Sequence, residues 1–115
     1  RNVSAQQKQP DSLYHFYLKL LQLRRQYPVL INGFFQPLTF EPQRLLAYLR
    51  QNAEQTILVA LNFGKRPVRL ALGGMVRRAG WKLLLSNRRD HLPPLKDGML
   101  LPLEDYEVLI LLQET

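Results

Sequence analysis

The sequence predicts a mainly β protein: an antiparallel, Greek-key-like β-sandwich of about seven strands with one N-terminal α-helix. Three observations predict it. Apolar residues from Leu13 to Tyr27 recur at steps of three and four, the period of a helix with one dry stripe. After Gly33 the period drops to two, and short alternating runs follow at regular spacing. A helix followed by a train of strands is a segregated order, which argues against a parallel sheet built from βαβ units.

In chain order, residues 1–33 are expected to form an opening loop and the helix, and residues 34–115 the β-sandwich domain. Arg1 to Pro10 is polar. Pro10-Asp11-Ser12 suits a helix start, because Asp11 or Ser12 can accept hydrogen bonds from the free N–H groups of the first turn. Leu13, Phe16, Tyr17, Leu20, Leu23 and Tyr27 form the stripe, and Leu21 widens it. Lys19, Arg24 and Arg25 take the polar side, and the two arginines suit the negative end of the helix dipole. Pro28 disfavours helical geometry at Tyr27, and Asn32-Gly33 supplies a turn.

Gly33 to Phe40 is an aromatic-rich strand candidate. Leu45 to Gln51 and Thr56 to Phe63 form a hairpin around the polar break Asn52-Ala53-Glu54-Gln55. Gly64-Lys65-Arg66-Pro67 turns into the alternating run Val68 to Leu72, which Gly73-Gly74 breaks. Trp81 to Ser86 is a further strand. Asn87 to Gly98, with Pro93-Pro94 and Asp97-Gly98, reads as a loop. Met99 to Leu103 and Tyr106 to Gln113 close the set, with no internal repeat and no low-complexity tract.

The strand after Gln55 organises the rest. Ile57, Val59, Leu61 and Phe63 fall on one face, Leu58 and Ala60 on the other, so both faces are apolar and both need a cover. The helix is expected to lie on the face bearing Leu58, Ala60, Leu109 and Leu111. Its stripe is wider than one contact needs, so part of it is expected to dock elsewhere, or on a second copy in weak self-association.

The chain has 115 residues, enough for one domain with a real core, and 46% of them are apolar. No apolar run is long enough to span a bilayer, and no targeting peptide is visible at the start, so neither a membrane partner nor export is expected. Because the sequence opens on Arg1, residues upstream are expected to belong to the same protein. Cysteine is absent, which excludes disulfides and thiolate metal sites and fits a cytoplasmic origin. Asn2-Val3-Ser4 matches a glycosylation acceptor, a tripeptide that is common by chance. The net charge is +7. Lys65-Arg66-Arg69, Arg77-Arg78-Lys82 and Arg88-Arg89 are basic groups without interleaved aromatics, so an ordinary basic surface is favoured over a nucleic-acid groove.

No constellation for chemistry stands out. His15 and His91 have no second histidine at metal-ligand spacing. Glu41, Glu54, Asp90, Asp97 and Asp105 fall in turns, and Glu104-Asp105-Glu107 reads as a group of solvated turn acids. Ser86 with Asp90-His91 lacks a nucleophile elbow, and Gly73-Gly74 lacks the Lys-Ser/Thr of a phosphate loop. No catalytic, cofactor-binding or metal residue is therefore expected. Trp81 is the candidate sugar contact, since sugar rings stack on exposed aromatic faces; the competing reading is that it caps the core. Phe34 and Phe35 point to opposite faces, so one of them is a candidate for exposure.

Asn2-Val3, Gln6, Ser12, Leu23-Arg24, Pro28, Leu30 and Gly33 carry a resemblance. With this spacing the segment resembles the one that ends the catalytic barrel in the alpha-amylase superfamily of glycoside hydrolases, and is most similar to the alpha-glucosidase and oligo-1,6-glucosidase group. Leu46-Ala47-Tyr48-Leu49-Arg50 and Leu58-Val59-Ala60-Leu61-Asn62-Phe63 resemble the first hairpin of that family's C-terminal β domain, and Asp105-Tyr106-Glu107 its closing strand. Gln9, Leu18 and Gly64 depart from the pattern, and the match thins from Lys65 onward.

The resemblance implies a retaining parent enzyme, whose two carboxyl groups stand about 5 Å apart on barrel strands. In the family those strands precede the segment seen here, so the resemblance carries over no catalytic residue. It implies a non-catalytic accessory domain whose partner is the catalytic barrel of the same chain, with the helix between barrel and β domain. A carbohydrate-binding module and a small basic nucleic-acid-binding domain remain as alternatives.

Overall fold

The structure, a computed structural model, describes residues 10–73, 80–96 and 98–114, with residues 10–13 described by their backbone alone. The expectations placed on Asn2, Val3, Gln6, Gln9, Gly74, Arg77, Arg78 and Asp97 lie outside the described residues, as do the side chains of Asp11, Ser12 and Leu13.

Helix α1 (Pro10–Gln26) ends one residue before Tyr27, as the ring of Pro28 requires. The Tyr27 N–H still donates to Leu23 O at 2.8 Å. A second, four-residue helix α2 (Val29–Asn32) follows, where the sequence predicts only a turn. Pro28, at φ −57° and ψ −22°, already has helical dihedrals and restarts the helix. Gly33 closes it. A Cβ at Gly33 would sit 2.5 Å from Val29 Cγ2 and 2.6 Å from Val29 O, so the first strand leaves α2 at a distance that a side chain would forbid.

The strands are β1 (Phe34–Glu41), β2 (Leu45–Gln51), β3 (Gln55–Asn62), β4 (Val68–Ala71), β5 (Trp81–Ser86), β6 (Leu100–Leu103) and β7 (Val108–Glu114). Five of them form an antiparallel sheet in the order β1-β2-β3-β7-β5, and β4 pairs with β6 in a second sheet. Gln55 pairs with Glu114 and so belongs to β3 rather than to the turn. The turn is held instead by Asn52 Oδ1, which accepts from the Glu54 and Gln55 N–H groups.

The five-stranded sheet is covered on both faces, as its doubly apolar strands demand. On one face Leu45, Ala47 and Leu49 of β2, Leu58 and Ala60 of β3, and Leu109 and Leu111 of β7 meet Val68, Leu70, Leu101 and Leu103 of the small sheet. On the other face Ile57, Val59, Ile110 and Leu112 meet Leu23 of α1, Tyr27 just after it and Val29 of α2, with Leu85 of β5 beside them. This corrects the expectation that the helix lies over Leu58, Ala60, Leu109 and Leu111. Both faces are equally apolar, so alternation cannot say which cover goes where. The paired alanines Ala47 and Ala60 stand opposite each other on the inter-sheet face, where they leave room for the leucines of β4 and β6.

Two bulges shape the edges. In β5 the register shifts between Leu83 and Leu85, so Leu83 packs between the sheets and Leu85 under the helix. In β1 the shift falls between Pro37 and Thr39. Pro37 lacks an N–H, and with the bulge it interrupts a long outer edge that would otherwise invite pairing.

Candidate functional site

Helix α1 does not lie flat on its sheet. Leu23 and Tyr27, near its C-terminal end, are buried, and Phe16 and Leu20 are half-buried against the same cluster. Tyr17 is 58% exposed. Between the helix flank and the sheet runs a groove of about 390 Å³, lined by Tyr17, Leu20, Leu21 and Arg24 on the helix and by Tyr48, Leu61 and Val108 on the sheet. The groove exists because the stripe is wider than the contact. Tyr17, Leu21 and Arg24 lie on the same flank of the helix, beyond the line of Leu20, Leu23 and Tyr27.

The apolar surface continues past the helix. Phe40 and Phe63 are exposed, and Phe40, paired with Leu46, shares the helix-side face with Tyr48 and Leu61 by strand alternation. Phe35 sits on that face too, with its ring centroid 5.1 Å from that of Tyr48 and the Arg50 guanidinium 5.1 Å above it. Arg50 also donates to Gly33 O at 3.0 Å, which ties the strand face to the end of α2. Phe34 and Phe35 are both exposed, where the sequence led to one. As the outermost strand, β1 is covered on neither face at its start.

Of the acids in the last turn Glu104 is exposed, but Glu107 is not, which corrects the sequence expectation for Glu107. Glu107 is fully buried. Its carboxylate accepts from Arg89 Nε at 2.7 Å and Arg89 Nη2 at 2.8 Å, from Ser86 Oγ at 2.9 Å and from the Glu104 N–H at 2.9 Å. The arginine fork and the carboxylate match as planar groups, so burial leaves neither charge unpaired. Arg88 is as deeply placed: its Nη1 donates to Asp105 O and pairs with Asp105 Oδ1, both at 3.1 Å. Asn87 bridges Tyr106 O and the Val108 N–H. These contacts engage Arg88 and Arg89 in pairs within the fold. They also engage Ser86, while Asp90 and His91 pair with each other at 3.4 Å on the surface. The arrangement is a structural junction between the chain after β5 and the turn before β7.

Trp81 is half-buried, packs on the inter-sheet core and lines a pocket of about 280 Å³ together with Gly80, Leu92, Pro93, Pro94 and Leu95. Its Nε1 is buried and has no partner among the described residues. Among the described residues no cluster of acids and histidines could hold a metal ion, and no helix is long and apolar enough to cross a membrane.

Residues 35–110 match the family described as Maltogenic Amylase, C-terminal domain. The chain belongs to this family. As a maltogenic amylase C-terminal domain, it has relatives whose similarity extends upstream of residue 35 into the helix. The palatinase of Erwinia rhapontici is 35% identical over 111 residues, which cover 95% of this chain and 20% of that protein. Probable oligo-1,6-glucosidase 3 of Bacillus subtilis is 38% identical over 86 residues, 75% of this chain and 15% of that one. Among solved structures, Bacillus licheniformis trehalose-6-phosphate hydrolase superposes over 97% of this chain and 20% of its own with a TM-score of 0.76, at 26% identity. This maltogenic amylase C-terminal domain therefore spans about a fifth of the relatives it matches or less, and corresponds to the C-terminal domain of alpha-amylase-family glucosidases.

Proposed function

We propose that this chain is a non-catalytic accessory domain of a retaining alpha-glucosidase, and that it docks on and stabilises the catalytic barrel of the same polypeptide. One observation carries the reading: an apolar groove between α1 and the sheet lies open in a chain that accounts for 20% of a relative's length. A self-sufficient domain would close such a surface on itself. Phe16, Tyr17, Leu20, Leu23 and Tyr27 then divide their work. The buried end holds the helix to the sheet, and the exposed flank meets the barrel. A cytoplasmic setting fits a cysteine-free chain.

Two measurements test this. The purified chain should not turn over a nitrophenyl alpha-glucoside; turnover that is lost on substituting a residue of this chain would refute a non-catalytic role. When the chain replaces the matching segment of the Erwinia palatinase, the amides of α1 should exchange more slowly than in the isolated chain. Unchanged exchange would remove the docking role. The carbohydrate-binding alternative predicts saturable maltooligosaccharide binding that disappears in Trp81→Ala. The half-burial of Trp81 against the core favours the docking reading over it.

A further inference from the structure

We infer that the surface covering the groove is an apolar projection with a carboxylate beside it, and that this carboxylate pairs with Arg24. The inference rests on the docking reading and names the chemistry of the partner at that site. Arg24 lines the groove together with Tyr17, Leu20 and Leu21 and is itself exposed. It has no carboxylate partner among the described residues, and no carboxylate lines the groove. The acid on the neighbouring strand β1, Glu41, is already engaged by Arg44 at 2.9 Å. Covering the groove with a purely apolar surface would strip water from a guanidinium that cannot lose its proton, which is costly unless an acceptor arrives with the cover. The groove volume of about 390 Å³ suits the side chains of an apolar projection, and the exposed Arg24 gives its lining a positive charge.

Charge also decides between occupants. A second copy would bring together two chains of +7 and offer Arg24 no acid from within the groove. A neighbouring part of the same polypeptide with acids on its rim meets both requirements. It also restores part of the charge balance that this piece lacks.

The test uses a chimera in which this chain replaces the matching segment of the Erwinia palatinase, compared with the isolated chain. Arg24→Glu, Arg24→Met and Leu21→Asp are made in both, and Tm is read at ~10 mM and at ~0.5 M salt, which shortens the screening length several-fold. Arg24 pairs with no acid among the described residues, so in the isolated chain Arg24→Glu should lower the Tm only slightly, through the helix dipole. In the chimera the drop should be at least about threefold larger at low salt, and should shrink toward the isolated-chain value at high salt. Arg24→Met, which keeps the stem and loses the charge, should fall between. Equal drops in chimera and isolated chain, or a drop indifferent to salt, would overturn the inference. Leu21→Asp separates the two readings: if it destabilises the chimera while Arg24→Glu does not, docking stands and the paired acid falls. If neither destabilises the chimera beyond the isolated chain, both fall.

Discussion

Glu107 has no exposed surface, and four donors from Arg89, Ser86 and Glu104 surround its carboxylate. Removing the carboxylate leaves the Arg89 charge without a partner, and breaking such a pair from one side costs more than the pair contributes. Glu107→Ala should therefore destabilise the chain by about 3–5 kcal/mol in urea unfolding. A cost as small as that of an exposed turn acid would show that the junction is not a buried pair. Tyr106 next to it adopts φ +54°, a left-handed conformation uncommon for its residue type, fixed by Tyr106 N–H donating to Gly64 O and by Asn87 donating to Tyr106 O. Gly33 is a second single-residue constraint, of space rather than charge. Gly33→Ala has an ordinary φ of −71° yet would press its methyl on Val29, so overpacking should cost about 1–3 kcal/mol.

At the scale of the element, α1 has a buried end and an open flank. Leu23→Ala, at a position 9% exposed under the helix, should cost about 2–3 kcal/mol in the isolated chain. Tyr17→Ala, on the open flank, should stay within about 0.5 kcal/mol, because a surface residue with few partners loses little. Similar costs at both positions would mean that the stripe is used as a single face. The strands follow the same logic. β3 and β7 are dry on both sides because each lies between two covers, whereas β1 has aromatic residues in the open because it lies at the edge.

At the scale of the molecule, the groove and the exposed Phe40 and Phe63 form a surface that water covers poorly. Where no acid-rimmed cover is present, the isolated chain should still self-associate weakly through it. Apolar contact favours the association and +7 per chain opposes it, so sedimentation should show more dimer as salt rises. Stronger association at low salt would point to opposite charges meeting across the contact and to a different surface.

Local patterns determined much of this protein from sequence alone. The periods of 3.6 and 2.0 depend on neighbouring residues, so the helix from Pro10, the break at Pro28 and the seven strands were legible. So was the need to cover both faces of the strand through Val59, and so was the excess width of the helix stripe. The tertiary structure decided what depends on distant partners. The helix lies over Ile57, Val59, Ile110 and Leu112, although Leu58, Ala60, Leu109 and Leu111 are as apolar, because alternation gives two faces without ranking them. The strand order that places β7 between β3 and β5 is set by long-range pairing. The burial of Glu107 required Arg89, 18 residues away, to be brought beside it; in sequence a glutamate near a turn looks the same whether water or a guanidinium meets it.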